Sequence, residues 1–312
     1  MIIEKKGKVV KGLGGLYVTR VDNGSCPEYI SCYAKGNLKK DEEKVLIGDE
    51  VVIRLDDSTP DSVIISEILP RRNALIRPPM ANLDYLFIVF AAKKPSPVLE
   101  TVDKLIAISE HNGIHPVIVI TKSDIDADAS CEYKEIYDSV GIPTFITSSQ
   151  SGEGLDDLCA YIKENVTDGM TSAFAGASGV GKSTLMNALF PSLALETSEI
   201  SKKIERGRHT TRHVEIFDIE KSTATGFLAD TPGFSLIDFA RFDFFELDDL
   251  AGSFREFADY AGKCRYQDCA HVGEGEDECA IMRAVKQGRI KESRLESYRS
   301  IYRVLKAKKS YD

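Results

Sequence analysis

Two stretches of this chain carry residues at spacings that could hold a nucleotide, and they come in an unexpected order. The later one, "GASGVGKST" at 176–184, fits the phosphate-loop pattern G-x-x-x-x-G-K-[ST]. Gly176 and Gly181, with Ala177, Ser178, Gly179 and Val180 between them, let the backbone curl so that amide N–H groups face phosphate oxygens. Lys182 adds a point charge for the β- and γ-phosphates, Ser183 can ligate Mg²⁺, and Thr184 continues into a helix whose positive end lies under the anion. Downstream, "FLADTPG" puts Asp230 at the end of an apolar run, where a carboxylate serves Mg²⁺ directly or through water, and Gly233 can offer its N–H to a γ-phosphate. Between them the polar "ERGRHTTRH" at 205–213 holds Thr210 and Thr211. A switch loop needs a Thr hydroxyl that reaches Mg²⁺ when γ-phosphate is present; Thr211 is favoured and Thr210 is close behind.

The earlier stretch, "VIVITKSD" at 117–124, ends in a tetrad suited to a base. Asp124 can accept from guanine N1–H and the exocyclic amine, a donor pair that adenine lacks. The stem of Lys122 can lie over the ring, Ser123 completes the loop, and Thr121 stands where Asn is commoner. "TSSQSGEG" at 147–154 follows, with Ser148 and Ser149 placed to bring backbone N–H groups to guanine O6. The order is thus base, base, phosphate, switch, Mg²⁺. It is a rotation of the usual GTPase order, not a scramble. A parallel sheet tolerates it because domain termini often lie close together.

A third cluster is Cys264, Cys269, His271 and Cys279, spaced C-x4-C-x-H-x7-C. Three thiolates and an imidazole suit a closed, tetrahedral structural Zn²⁺, and in a reducing compartment such a cluster suggests metal rather than disulfides.

The elements that must position these groups fall into three segments. Residues 1–70 alternate short apolar runs with Gly, Asn, Asp and Lys clusters, which predicts a small antiparallel barrel, OB-type first and SH3-like second. Residues 71–235 alternate buried strands with helices and predict an α/β domain with a parallel sheet. In it, Ser96 and Pro97 are expected to open a helix that Asn112–Gly113 ends. Residues 236–312 predict a helical domain, with helix over 240–262 and a last helix over 284–308.

The chain has 312 residues and a net charge of −9, which alone argues against nucleic acid. Yet between Arg283 and Lys309 ten Lys and Arg face two Glu, a local +8 that could meet a polyanion or only solvate a helix. The opening residues make a poor signal peptide, and "YLFIVFAA" is far short of the roughly 20 residues of a membrane span. A cytoplasmic protein without membrane contact is expected.

With motifs in this order, the chain resembles the circularly permuted GTPases of bacterial small ribosomal subunit biogenesis (RsgA, also called YjeQ or YloQ). The resemblance is carried by the barrel, "RPPMANLD", "TKSD", "GASGVGKSTLMN", "GRHTTR", "DTPGF" and the Cys/His cluster. It implies an OB-fold, a permuted GTPase domain using GTP or GDP with Mg²⁺, and a zinc-binding C-terminal domain. It also implies a monomer that binds the 30S subunit and its 16S rRNA, with hydrolysis stimulated by the subunit. The slot where many GTPases carry a water-orienting Gln is Phe234 here, and the resemblance assigns that role to His209. Two competing functions are an rRNA-binding assembly module in which nucleotide is mainly structural, and an ATP-dependent phosphate-loop enzyme.

Overall fold

The computed structural model describes the chain except residues 1, 25, 36–43, 57–62, 192–213, 220–225, 231–238, 240 and 310–312. It divides into two compact units, neither contiguous in sequence. One comprises 1–84, 162–174 and 190–234; the other comprises 85–161, 175–189 and 235–312.

The first unit begins with β1 (Ile2–Leu13), β2 (Leu16–Asp22), β3 (Pro27–Ala34), β4 (Glu50–Asp56) and β5 (Ile64–Ile68). Gly14 and Gly15 both have positive φ, the condition for a two-residue hairpin turn between right-twisted strands. β1, at 12 residues, is longer than the short strands expected of this segment. Its length lets it pair twice, along Ile2–Lys8 with β4 and along Lys8–Leu13 with β2. β2 pairs β3, β3 pairs β5 in parallel, and β5 pairs β4. The pairings therefore return to β1 and leave no strand of the five with a single partner. Val9, Val21, Cys32, Val51, Ile53 and Ile65 fill the interior at the alternate positions a half-buried strand provides.

The connector 71–84 forms a short ribbon, β6 (Ala74–Leu75) with β7 (Met80–Ala81). It packs on the barrel so closely that a Cβ on Gly48 would lie 2.0 Å from the Ala81 carbonyl oxygen. Arg71 reaches the buried Asp49 carboxylate at 2.6 Å. The same unit holds most of β11 (Thr171–Ala175), with β12 (Glu215–Asp218) and β13 (Phe227–Asp230). β13 runs parallel to β11 and antiparallel to β12, and β12 meets β1 at Lys11 and Glu215.

The second unit is built on three parallel strands, β8 (Tyr85–Ala91), β9 (His115–Thr121) and β10 (Thr144–Ile146), in the order β10-β9-β8. The apolar runs of β8 and β9 are buried, as strands covered on both faces require, while β10 is only partly so. Helices α1 (Leu99–His111) and α2 (Ala127–Asp138) follow β8 and β9. α3 (Leu155–Asn165) starts in this unit, and α4 (Lys182–Leu189) follows the glycine loop. α1 begins at Leu99 with Val98 as cap and no side-chain cap bond, two residues later than the Ser96–Pro97 signal suggested.

Two other expectations change. Residues 240–262 form no α-helix where described; they make three short 3₁₀ turns, at Leu247–Asp249, Ala251–Ser253 and Arg255–Tyr260. The turns are pinned by Glu246 and Asp249, which cap one another, and by the buried rings of Phe254 and Phe257. The expected helix over 284–308 is two helices, α5 (Ala280–Lys286) and α6 (Glu292–Lys309). Gly288, at φ +72, breaks the run, and Ile290 is buried in the bend.

Candidate functional site

The glycine loop leaves β11 at Ala175 and enters α4 at Lys182. Gly179 and Gly181 have φ of +80 and +93, a region other residues rarely adopt. Gly176 is needed for another reason. A Cβ there would stand 2.3 Å from the Val89 carbonyl oxygen of β8, so only a glycine lets the loop cross that strand. Val180 is buried, while Ala177, Ser178, Gly179, Ser183 and Thr184 are exposed and Gly176, Gly181 and Lys182 are half-buried. Leu185 N–H donates to Gly181 C=O at 2.9 Å and starts the helix.

The tetrad at the end of β9 reaches this loop. Thr121, 3% exposed, places its hydroxyl 2.5 Å from the Val180 carbonyl oxygen and 3.2 Å from that of Phe90. Its single proton serves one acceptor at a time, and the shorter distance favours Val180. Lys122, at φ +58, donates through Nζ to the Gly179 carbonyl at 2.7 Å and to that of Lys94 at 2.5 Å. Base and phosphate segments are thus held together although 59 residues separate Thr121 from Val180. Ser123, buried, donates to the Glu153 carboxylate at 3.0 Å.

Asp124 is exposed, and Ser148 Oγ donates to its Oδ1 at 2.5 Å. Ser148 itself is fully buried and accepts from the Gln150 and Ser151 amides at 3.3 Å. Ser149 beside it is half-buried. The loop is closed by Ser148 N–H to Glu153 C=O at 3.0 Å. Gly154 ends it at φ +68, where a Cβ would meet the Ile146 carbonyl oxygen at 2.0 Å. A fixed carboxylate with one oxygen already hydrogen-bonded keeps acceptor capacity for a donor pair on a planar ring.

Asp230 ends β13, paired with Glu215 of β12, and belongs to the first unit. His209, Thr210, Thr211 and Gly233 lie outside the described residues.

The four metal-ligand candidates do converge. Their ligand atoms all lie within 4.8 Å of one another. His271 Nδ1 stands 3.7 Å from Cys264 Sγ, 3.4 Å from Cys269 Sγ and 3.3 Å from Cys279 Sγ, and Cys264 Sγ lies 4.0 Å from Cys279 Sγ. Zinc bonds of about 2.3 Å to sulfur and about 2.0 Å to nitrogen imply tetrahedron edges of about 3.8 Å and about 3.5 Å. The cage fits. His271 has φ +58, which turns its ring inward. Burial pushes its imidazole down, so it is neutral and able to ligate, and pushes the Cys269 thiol up to about 12. A divalent cation at the centre reverses the thiol shift. Glu274 takes the Ala270, Val272 and Gly273 amides at 3.1, 2.9 and 3.1 Å and sets the loop that returns to Cys279.

The basic segment is less available than its composition suggests. Lys286, Lys291, Arg294, Arg299 and Lys308 each form an ion pair within the second unit, with Glu276, Glu135, Asp103 and Glu256, Glu296, and Asp243 respectively. Arg289, Arg303 and Lys306 are exposed.

Sequence comparison matches residues 68–240 to the RsgA GTPase family model and residues 6–64 to the RsgA N-terminal domain model. A small ribosomal subunit biogenesis GTPase RsgA of Alkaliphilus metalliredigens is 38% identical over 98% of this chain and 99% of its own length. The protein of the same name from Bacillus subtilis is 36% identical over 94% and 95%. Among solved structures, YjeQ from Thermotoga maritima superposes with a TM-score of 0.78 at 31% identity, covering 97% of this chain and 99% of that one. YloQ, described as a circularly permuted GTPase, superposes with a TM-score of 0.75 at 31% identity, covering 98% and 96%.

Proposed function

The chain belongs to the RsgA GTPase family, and on that premise we propose that it hydrolyses GTP as an assembly factor for the small (30S) ribosomal subunit. One observation supports the guanine reading above others. Thr121 and Lys122, from the tetrad, both bond carbonyls of the phosphate loop, so Asp124 stands at a fixed reach from it. A nucleotide spanning that reach with its phosphates on Gly176–Thr184 meets the carboxylate only with a base that offers two donors, which is guanine.

The residue roles follow from this pose. Amides of 176–181 and Lys182 take the phosphates; the Ser149 amide faces guanine O6, while Ser148, whose own amide is spent on the Glu153 carbonyl, orients Asp124. Ser183 and Thr211 hold Mg²⁺, assisted by Asp230; when bound, the ion neutralises charge on the β- and γ-phosphates. Thr210 is the alternative to Thr211 as the switch hydroxyl, Gly233 offers its N–H to the γ-phosphate, and His209 orients the attacking water. Cys264, Cys269, His271 and Cys279 hold one structural Zn²⁺. The working modules are a barrel (1–70), a permuted GTPase domain (71–235) and a zinc domain (236–312). The factor acts as a cytoplasmic monomer on 16S rRNA. No helix among the described residues is long and apolar enough to cross a membrane.

The test is GTP hydrolysis with and without 30S subunits. Stimulation by 30S supports the proposal; binding to 30S with no turnover in either condition replaces it by a module in which nucleotide is structural. Equal affinity for GDP and ADP in calorimetry removes the guanine reading.

A further inference from the structure

Arg294 of α6 is fully buried. Its Nη1 donates to Asp103 Oδ1 at 2.5 Å, and Nε and Nη2 fork onto the two oxygens of Glu256 at 2.7 and 3.2 Å. The guanidinium also lies over the Phe254 ring, 4.8 Å from its centroid. Asp103 sits in the middle of α1, and burial pushes its carboxyl up against the pull of Arg294. Charges this dry are held only while every partner is in place, and removing one is strongly destabilising.

Each end of the cluster leads to one of the two sites. Glu256 lies in the 3₁₀ turn Arg255–Tyr260. Phe257 of that turn packs edge-on against the His271 ring at 5.8 Å. Tyr298, one turn beyond Arg294, packs at a tilt against Phe257 at 4.9 Å and donates to the Ala270 carbonyl at 3.0 Å. The metal loop thus rests on the same turn and helix that grip Arg294. In the other direction, α1 follows β8, whose Phe90 carbonyl lies within reach of the Thr121 hydroxyl. Lys291 pairs with Glu135 of α2, and Arg255 pairs with Glu110 of α1 and donates to the Gly141 carbonyl just past α2. α2 is capped by Asp126, two residues after Asp124.

We propose that Arg294 is a positioning residue that couples the metal knuckle to the guanine-reading loop, so that guanine nucleotide tightens zinc retention and loss of zinc weakens nucleotide binding. The inference rests on the guanine reading above. The knuckle orders the 3₁₀ turn and α6; these hold Arg294; Arg294 fixes α1, and its neighbours fix α2. Whatever loosens one end exposes the same buried charges, and linkage makes the effect reciprocal.

The experiment uses the intact zinc-loaded protein. Zinc release to a chromophoric chelator is timed without nucleotide, with GDP and with ADP, and GDP affinity is measured before and after zinc depletion. GDP is expected to slow release by about fivefold or more while ADP leaves it unchanged, and zinc depletion to raise the GDP Kd by a similar factor. In Arg294→Lys, which keeps the charge and loses the fork to Glu256, GDP is expected no longer to slow release. A residue that only stabilises the fold would lower the melting temperature of both forms without abolishing this dependence. If the variant does not fold, the wild-type release rates decide. GDP binding that leaves wild-type zinc release unchanged overturns the coupling alone. Failure of the zinc-loaded protein to bind GDP overturns the guanine reading and the coupling together.

Discussion

At the scale of single residues, Thr121 shows how a shorter side chain can do the work of a longer one. Asn is commoner at this position, and a Thr could be expected to hold the phosphate loop less firmly. Its hydroxyl instead reaches Val180 at 2.5 Å. Gly181 beside it is required by its φ of +93 rather than by space, since a Cβ there would lie 3.7 Å from Thr121 Oγ1, an ordinary contact. Thr121→Val removes the hydroxyl and leaves a buried carbonyl short of a donor. Calorimetry is expected to show GDP binding about tenfold weaker, from the loss of roughly 1–1.5 kcal/mol. Wild-type affinity in that variant would mean that the tether carries no binding energy. The tetrad and the glycine loop were legible in the sequence because their chemistry admits few residue types. Which carbonyl each side chain would reach was not, since such contacts span 57 and 59 residues.

At the scale of elements, the loop and the strand it crosses are fitted backbone to backbone. Gly176 and Gly179 separate two reasons for glycine. Gly176→Ala drives a Cβ into the Val89 carbonyl and must displace β8 or the loop, whereas Gly179→Ala meets nothing within 4 Å and bears only its positive φ. The first is expected to lower the melting temperature and the GDP affinity together. The second is expected to cost about 1–2 kcal/mol of stability, seen as a smaller shift in thermal unfolding. Comparable losses in both would contradict the assigned close approach. The parallel strands were readable from unbroken apolar runs. The 3₁₀ turns of 247–260 were not, because the apolar residues Leu247, Leu250, Phe254 and Phe257, at three- and four-residue intervals, look the same in a single helix and in successive short turns. The break at Gly288 could have been read from the glycine itself, with Ile290 as the apolar contact that follows it.

At the scale of the whole chain, composition misleads most. The +8 of the 283–309 segment suggested a free cationic surface, yet half of its ten cations are paired with acids of the same unit. Replacing Arg289, Arg303 and Lys306 by Gln is expected to flatten the salt dependence of 30S binding by up to about 0.7–0.9 per lost phosphate contact. Replacing Lys286 and Lys291 is expected to leave the slope nearly unchanged. The reverse result would show that the pairs open on the ribosome. The two units are interleaved along the chain. The charge cluster around Arg294 was invisible there, because no periodicity marks partners 191 residues apart.

That separation has a consequence during synthesis. Asp103 leaves the ribosome long before Arg294 exists; at about 5–20 residues per second the wait is on the order of 10–40 s. Through that interval the growing polypeptide has its phosphate loop, its base loop and its strands, and still cannot seal α1, whose carboxylate has no counter-charge to be buried with. A translation product cut off before residue 294 stays open at that helix and is exposed to proteolysis. A chain shortened before residue 294 would thus carry the phosphate and base loops and still lack the buried guanidinium that Asp103 pairs with.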